Sequence, residues 1–565
     1  MLAGPEVAAG VEAAVERAAD RALELQRPDG SWVDELPSAA VATGAAALAL
    51  HACDGDAASR YVDEACAWLR GAQSADGSWG DATGAEGTLN ATAVAVAALA
   101  ALGGSRSRAA VEAGRAWLEG SGGEPALEDR TRCTMSAVCL GFLAAAGLYP
   151  AERCRRIPVE LVLLPPRLRR RLSFTLPGVL AWGVLHARTR PVGPWRRGLA
   201  SLAEPRALAW LERLQAFDGF AGGFEESPLM AAIVCYGLAR AGAAPAIVGR
   251  CRSFLLATRR DDGSWAVNRD LELSATATLL IGLDEAGRGG DPRPQAARRW
   301  IESAQRREPF FVTGAPAGGW GWSLPSGWPN ADDTCSAILA LTRLGVPPEA
   351  PPVAAGVRFL RSRQGRGGGF GCFLRGARLS LDAPCPVFTA HALEALAAAG
   401  ARPGDAAVDA GLRFLARAQR PDGAVPALWY RGWTAGTAAA LCALATLGRR
   451  DDPVARRCLG WLLARQRGDG SWGAGDGGDG DATVEETSWA LAALLAAGVP
   501  PGDAPASDAA RWLVDRQRPA GDWPPSLVGV YFPSLLYHDD VLAAGWALRA
   551  LGSYRRALAE QGETP

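Results

Sequence analysis

Apolar residues recur along the chain as pairs of segments with helical spacing. In each pair an amphipathic stretch ends in glutamine and is followed by a glycine-rich turn that carries an aromatic residue. A second stretch, rich in Ala and Leu, then ends in glycine. Helical spacing of this kind predicts two helices per unit. The pattern therefore predicts an all-α protein, and no segment is predicted to form a sheet.

The turn between the paired helices is the clearest repeated motif. It first occurs as Gln-Arg-Pro-Asp-Gly-Ser-Trp from Gln26 to Trp32, and returns at Gln73 to Trp79. Further copies begin at Gln215, Thr258, Gln305, Gln364, Gln419, Gln466 and Gln517. Several spacings are equal: 73−26, 305−258 and 466−419 are each 47. A period of this length with two helices per unit is typical of helical repeat folds, either open solenoids or closed barrels.

The second helix of each pair has a threonine near its start and a glycine at its end. These helices run from Thr92 to Gly103, Thr334 to Gly345, Thr389 to Gly400, Thr437 to Gly448 and Thr487 to Gly498. Threonine is a common N-cap and glycine a common C-cap, so these residues predict the helix ends. We expect the turn glutamine to hydrogen-bond a neighbouring helix end and the tryptophan to pack against the next unit. The turns are therefore expected to be structural.

Composition and charge exclude several classes of function. The chain has 565 residues, 49% of them hydrophobic and 21% charged, with a formal net charge of -1, which does not favour a nucleic-acid partner. All 59 basic residues are arginine, so Schiff-base lysine chemistry and a Walker-type phosphate loop are excluded. Twelve scattered cysteines without a signal peptide predict a cytoplasmic protein with reduced thiols. No apolar run is long enough to predict a transmembrane helix.

Two adjacent carboxylates provide the candidate chemistry. Asp332 and Asp333 follow a proline turn and open an apolar helix, which Thr334 is expected to cap. Carboxylates at a helix start also occur as simple partners of the helix dipole. A carboxyl group in apolar surroundings beside a like charge has a raised pKa, however, so it can stay protonated and act as an acid. The aromatic stretch Gly318-Gly319-Trp320-Gly321-Trp322 just upstream favours this second interpretation.

Taken together, these motifs resemble those of squalene-hopene cyclases, the class II triterpene cyclases of bacteria. The resemblance rests on the Gln-x-x-Asp-Gly-x-Trp turns, the stretch from Gly318 to Trp322, and an acidic motif that the family usually has as Asp-x-Asp-Asp-Thr. Thr389-Ala390-His391, Pro158 to Leu164 and Tyr531-Phe532-Pro533 add to it.

The resemblance implies two αα-barrel domains. Residues 1–34 together with 266–565 would form the barrel that carries the acid motif, and residues 35–265 the second, inserted barrel. It also implies a large aromatic-lined cavity, an isoprenoid substrate and a homodimer. Apolar runs beside the arginines of 167–171 could contact one face of a membrane.

Carried over position by position, the resemblance assigns roles to individual residues. Asp332 would donate the proton, with Asp333 beside it, and His391 would hydrogen-bond the acid. Aromatic faces stabilise carbocations without quenching them, so Trp322 and Phe532 are expected to line the substrate cavity, with Trp433 as a third. Trp320 and Tyr537 complete the predicted cavity residues. Initiation by protonation needs no metal or organic cofactor.

The sequence also departs from the family pattern. Asn330 stands at the first acidic position, where it cannot share the charge of the pair, and Val387 stands where an Asp often precedes the histidine. The chain is shorter than the family between Arg190 and Ala203, the region of the family's membrane-binding surface.

Three alternatives to a squalene-type cyclase stay open. One is a class II cyclase of a shorter prenyl diphosphate, giving a drimane- or labdane-type product. The second is a zinc enzyme like the protein prenyltransferase β subunit, with Asp333, Cys335 and His391 as ligands. The third is an inactive relative that binds isoprenoids.

Overall fold

The computed structural model describes residues 5–190, 193–217, 219, 221–377, 382–473, 480–531 and 535–562. The described chain is mainly helical. In chain order its helices are α1 (Pro5–Leu25), α2 (Ala40–Asp54), α3 (Ser59–Gly71), α4 (Leu89–Leu102), α5 (Arg108–Gly120), α6 (Gly123–Glu128), α7 (Ser136–Ala145), α8 (Pro166–Arg169), α9 (Leu176–Thr189), α10 (Pro194–Phe217), α11 (Pro228–Arg240), α12 (Pro245–Ala257), α13 (Glu272–Glu285), α14 (Pro292–Ala304), α15 (Ala331–Arg343), α16 (Pro351–Arg363), α17 (Pro386–Ala398), α18 (Ala406–Ala418), α19 (Thr434–Thr446), α20 (Pro453–Arg465), α21 (Val484–Ala496), α22 (Ala504–Arg516) and α23 (Asp540–Gly562). This confirms the all-α prediction.

Two three-residue strands, β1 (Gly529–Tyr531) and β2 (Leu535–Tyr537), pair with each other. The prediction that no segment forms a sheet is wrong for these residues. The backbone around β1 also finds partners in the loop before α19: Arg431 N–H donates to Val528 O (2.8 Å) and Val530 N–H to Trp429 O (3.0 Å). Extended backbone is stable here because its polar groups are satisfied by neighbouring chain.

The chain divides into two compact units. The first unit comprises Met1–Asp34, Leu271–Val530 and His538–Pro565, and the second unit comprises Glu35–Asp270 and Tyr531–Tyr537. The second unit extends to Asp270 because Ala266 forms a β-bridge with Ser38 and Leu36 N–H donates to Arg269 O. Among the described residues, no helix is long and apolar enough to cross a membrane.

In the first unit, six helices form a closed inner ring. Each packs on the next in the order α13, α15, α17, α19, α21 and α23, and α23 returns to α13. An outer layer surrounds the ring and consists of α1, α14, α16, α18, α20 and α22. The first unit is therefore an αα-barrel with its core between the two layers.

In the second unit, α2 packs on both α4 and α11, α4 on α7, and α11 on α9. Side chains of α7 and α9 also meet, with Phe142 and Trp182 packed edge to face at 5.4 Å between ring centroids. The second unit thus has an inner ring of five helices.

The repeat turns join the helices as predicted. Gln364 donates one amide hydrogen to Gly368 O (2.9 Å) and the other to Ala407 O in the first turn of α18 (2.8 Å). Gln26, Gln73, Gln305, Gln419, Gln466 and Gln517 make the same pair of bonds. Only glycine fits at the position whose carbonyl accepts the glutamine amide. Gly368 has φ +87, and a Cβ atom there would lie 2.0 Å from Ala410 O.

The repeat threonines do not cap helices, and that prediction is wrong. Thr389 lies inside α17, and its hydroxyl accepts the backbone N–H of Phe370 in the preceding turn (3.0 Å). Thr92, Thr437 and Thr487 bind turn residues in the same way. The threonine therefore fixes the aromatic turn onto the inner helix. Four of the predicted terminal glycines, Gly345 (φ 80), Gly400 (φ 92), Gly448 (φ 70) and Gly498 (φ 90), have the left-handed backbone expected of helix termination. Gly103 is the C-cap residue of α4 but has a right-handed backbone (φ -81).

Candidate active site

The acid motif begins α15 on the inner ring. Asn330 is its N-cap: the side-chain Oδ1 accepts the backbone N–H of Asp333 (2.9 Å). The expectation that Thr334 caps this helix is wrong, because Thr334 lies one turn inside it and accepts Trp320 N–H (3.1 Å). Asparagine at the first position of the motif therefore has a structural role, since Asn and Asp are equally good N-caps.

Asp333 is buried and held from two sides. Ser274 on α13 donates its hydroxyl to Asp333 Oδ1 (2.6 Å), and the Asn330 amide donates to Asp333 Oδ2. Burial, and then the nearby charge of Asp332, raise the pKa of Asp333 to about 7, although the two hydrogen bonds oppose the shift. At neutral pH this carboxyl is therefore a partly protonated group with a fixed orientation.

Asp332 points to the other side of α15, because consecutive helical residues differ by about 100° in direction. Its Oδ1 lies 2.7 Å from Nδ1 of His391 on α17. The Asp332 side chain is 24% exposed and that of His391 31%, so both remain accessible, unlike Asp333. The motif thus provides one buried carboxyl and one accessible carboxyl that is hydrogen-bonded to histidine.

The environment of His391 favours its charged form. Burial by itself lowers the pKa of His391, but the charge of Asp332, its hydrogen bond and the charge of Glu394 outweigh that, and the net pKa is raised. An imidazolium can donate its Nδ1–H to Asp332 Oδ1, so that Oδ2 of Asp332 takes no part in this hydrogen bond.

Aromatic rings form a connected cluster in the turns next to the acid motif. Phe373 packs edge to face on Trp322 (5.8 Å), Trp328 (5.9 Å) and Trp429 (6.4 Å), and Trp429 meets Phe388 (5.8 Å). Among the described residues, no atom accepts a hydrogen bond from the indole N–H of Trp322 or Trp429. The predicted residue Trp322 therefore belongs to an extended aromatic surface.

Trp320 has the contacts of a repeat tryptophan. It is fully buried, its indole N–H donates to Ile301 O (2.7 Å) on the preceding outer helix, and its ring lies against Gly356 on the following one. Trp32, Trp79, Trp265, Trp472 and Trp523 donate in the same way. Trp320 therefore packs on the next unit, as expected of a repeat tryptophan. The expectation that Trp320 contacts the substrate stays a prediction.

The remaining predicted cavity residues lie elsewhere. Trp433 is the N-cap residue of α19, with the Arg420 guanidinium 4.7 Å from its ring centroid. Tyr537 belongs to the second unit and stacks on Tyr531 at 4.3 Å. Phe532 lies outside the described residues. Their roles stay predictions.

Several residues of the site could have been found from the repeat register. Ser274 and Asp332 both stand two positions before the repeat threonine of their helix, Thr276 and Thr334. His391 stands two positions after the repeat threonine Thr389 of α17. Trp489 stands at the equivalent position of α21, two residues after Thr487. Trp489 packs on Tyr430 (5.1 Å) and Trp546 (4.9 Å) in a second aromatic group. Phe373 and Trp429 lie in turns, where the register gives no signal.

The alternative zinc ligand set does not converge. Asp333 and Cys335 lie two residues apart on α15, so their side chains point about 200° apart around the helix. Within the described ranges, no group of three or more His, Cys, Asp or Glu side chains is arranged to hold a metal ion.

Comparison with known proteins identifies the family. The model of the squalene-hopene cyclase C-terminal domain matches residues 274–556, and that of the N-terminal domain matches residues 15–182. The chain belongs to the squalene-hopene cyclase family. Members of this family are class II terpene cyclases, enzymes that cyclise their substrates, so the resemblance recognised in the sequence is confirmed.

Individual relatives differ in how much of their length they share with this cyclase. The squalene–hopene cyclase of Alicyclobacillus acidocaldarius is 25% identical, over 96% of this chain and 97% of its own length. The drimenyl diphosphate synthase of Streptomyces showdoensis is 31% identical, over 42% of this chain and 44% of its own. Against another relative, the enfumafungin synthase of Hormonema carpetanum, the chain spans about half the length (48%).

Among solved structures, the ent-copalyl diphosphate synthase of Streptomyces platensis is similar in fold. Its TM-score is 0.59 at 22% identity, covering 97% of this chain and 99% of that one. This similarity supports the all-α terpenoid cyclase fold.

Proposed function

We propose that this class II cyclase protonates squalene, or a related linear polyprenyl chain, and releases a polycyclic terpenoid, with Asp332 as the proton donor. The observation that carries the proposal is the 2.7 Å contact between Asp332 Oδ1 and His391 Nδ1 on an accessible face, with buried Asp333 beside it.

The initiating step follows from this arrangement. The proton on Asp332 adds to the CH carbon of a terminal trisubstituted alkene, and the π electron pair forms the new C–H bond. The positive charge is left on the more substituted, tertiary carbon, and Asp332 becomes a carboxylate. His391 as imidazolium stabilises that carboxylate, so the charge left behind is balanced within the site. Successive alkenes then attack the cation, and loss of a proton or capture of water ends the sequence.

The aromatic surface supports the later cationic steps. The face of an aromatic ring attracts a cation, by about 0.5 to 2 kcal/mol or more when water is excluded. We propose that Trp322, together with Phe373 and Trp429, provides such faces near the acid. The indole N–H groups of Trp322 and Trp429 are both buried.

The substrate class is proposed as uncharged. Support comes from the full-length similarity to a squalene–hopene cyclase. A further support is that Arg549, whose charge reaches His391, is already paired with Glu394. The alternative substrate is a shorter prenyl diphosphate giving a drimane- or labdane-type product. It is supported by the regional similarity to a drimenyl diphosphate synthase.

We also propose the two-domain division expected from the repeats, residues 1–34 with 266–565 and residues 35–265, acting as a homodimer in the cytoplasm. The compact units support the division.

For peripheral membrane contact we propose α10, on which Trp195 is 77% exposed and Leu202 49% exposed. Residues seven apart share one helical face, so these two apolar side chains form one surface flanked by Arg196 and Arg197.

The proposal is tested by incubating the parent protein and Asp332→Asn with squalene, farnesyl diphosphate and geranylgeranyl diphosphate, with products analysed by mass spectrometry. The parent is expected to form a cyclic product from squalene, and the variant is expected to lose at least about a hundredfold in rate, as when a general acid is removed. Conversion of a diphosphate alone would select the alternative substrate class. Equal turnover by parent and variant would remove Asp332 from its role, and binding without turnover by the parent would indicate an inactive relative.

A further inference from the structure

We propose that Glu394 and Arg549 are positioning residues that together set the charge state of His391, and through it the proton on Asp332. The inference rests on the proposed function for its catalytic meaning. Its electrostatic part concerns the ligand-free protein and stands on the geometry of the first unit alone.

Glu394 lies on the same face of α17 as His391. The two residues are three positions apart, which brings their side chains together on a helix at about 5–6 Å between Cβ atoms. Asp332 engages His391 at Nδ1, so Glu394 is a second carboxylate next to the same imidazole, one helical turn farther along.

Arg549 reaches Glu394 from across the barrel. In the inner ring, α17 and α23 are three helices apart in either direction, so they face each other. The Arg549 guanidinium nonetheless lies 3.7 Å from Glu394 Oε2, and Glu394 is almost completely buried. The ion pair therefore crosses the interior of the ring, next to the acid motif.

The charges of this ion pair reach groups on three inner helices. Glu394 raises, and Arg549 lowers, the pKa of His391 on α17. Burial raises the pKa of Cys442 on α19 to about 12, with Glu394 and Arg549 acting in the same opposite senses. Burial, Asp332, Glu394 and Asp333 raise the pKa of Cys335 on α15. The groups that act on His391 are thus Asp332, Glu394 and Arg549, with Asp333 behind Asp332.

This arrangement has a direct consequence for the proton donor. Were Glu394 unpaired, it would compete with Asp332 for the imidazolium. Because Arg549 holds and partly neutralises Glu394, the charge of His391 is directed towards Asp332. Removing either member alone should therefore shift the proton affinity of His391, in opposite directions, and removing both should largely cancel the shift.

The test is a pH titration of the four histidines by NMR in ligand-free protein carrying ¹³C-labelled histidine. The His391 signal is identified by its loss in His391→Gln. Glu394→Gln is expected to lower the pKa of His391 by about one unit and Arg549→Gln to raise it similarly, the size typical of one charge at this range. The double variant is expected to return it close to the parent value.

Two controls separate this effect from damage to the fold. Arg361→Gln breaks the exposed ion pair with Asp405 in the same unit (2.7 Å) and should leave His391 unchanged. The signals of His51, His186 and His538 should keep their parent titrations in every variant.

Shifts of the two single variants in the same direction, or no shift in either, would overturn the inference. The pH–rate profile of cyclisation then connects it to catalysis: its basic limb should move down for Glu394→Gln and up for Arg549→Gln. If His391 shifts as expected but the parent cyclises no isoprenoid, the proposed function fails while the electrostatic coupling stands. A basic limb that stays fixed while His391 shifts would overturn the catalytic role of the pair.

Discussion

At the scale of single residues, the site depends on two adjacent carboxyls with different surroundings. Asp333 faces α13, where burial and hydrogen bonds fix it, whereas Asp332 faces α17 and remains accessible beside His391. Asn330 contributes to this asymmetry because it can donate to Asp333 through its amide, which an aspartate cannot do when ionised. The residue that departs from the family pattern therefore stabilises the charged form of Asp333.

Replacing this amide by a carboxyl should change the acidity of the pair. In Asn330→Asp the helix cap is kept, but a negative charge replaces a donor next to Asp333. Since a like charge raises the pKa of a carboxyl, the basic limb of the pH–rate profile is expected to move up by about one unit. Asn330→Ala is the control for the cap: it should lower the free energy of unfolding by about 1 kcal/mol. A basic limb that stays in place or moves down in Asn330→Asp would contradict this account.

At the scale of elements, the repeat turn fixes each inner helix in a defined register. The repeat threonine of each inner helix binds the preceding turn, and the turn glutamine binds the next outer helix. The positions two before and two after the threonine therefore recur around the ring. Acid, histidine and aromatic side chains occupy these positions on different helices. The chemistry therefore depends on which residue each repeat places there, while the turns themselves are structural.

The prediction at this scale concerns α10. The double variant Trp195→Ser, Leu202→Ser removes its exposed apolar face, and binding to vesicles of anionic phospholipid should weaken by about tenfold or more, given the apolar area lost. Leu463→Ser, on exposed apolar surface of α20, is the matched control and should bind like the parent. Equal sedimentation of the double variant and the parent with vesicles would rule out α10 as the contact.

At the scale of the whole molecule, both units contain buried carboxyl groups. Burial is the first cause that raises the pKa of Asp81 and Glu485 to about 7 and that of Glu486 and Asp539 to about 8. The folded state therefore binds these protons more tightly than the unfolded chain, whose carboxyls titrate near 4.

The sign of the pH dependence follows from these raised values. The protonated forms of these four carboxyls stabilise the folded state. This stabilisation is fully present below pH 4 and is lost as pH rises through about 8, so the protein should be less stable at pH 8 than at pH 5. Asp539→Asn removes one such group, and its loss of stability between these two pH values should be smaller by on the order of 1 kcal/mol. Asp451→Asn, whose side chain is 98% exposed, should behave like the parent in thermal unfolding. An unchanged or larger loss in Asp539→Asn would contradict the assignment.

Much of the fold could be predicted from the sequence, because the repeat turn is local. Gln26 to Trp32 and its copies encode helix, turn and helix within one unit, and Asp332, Asp333 and His391 follow from their motifs. The ion pair of Glu394 with Arg549 could not be placed, because it depends on which helices face each other in a closed ring. The register gives the position of Ser274, but its hydrogen bond to Asp333 depends on which helices are neighbours. The threonines were misassigned for a related reason: their hydroxyls serve the preceding turn instead of their own helix.

The most direct test of the account is the transfer of a proton from Asp332 to substrate. The parent protein, Asp332→Asn and the exposed control Asp451→Asn are incubated with squalene in ²H₂O, and the cyclic product is analysed by mass spectrometry and NMR. The account predicts one deuterium in the parent and control products, at the methylene carbon formed from the CH of the initiating alkene, and no product from Asp332→Asn. A labelled cyclic product formed by Asp332→Asn at the parent rate, or a cyclic product without deuterium at that carbon, would contradict it.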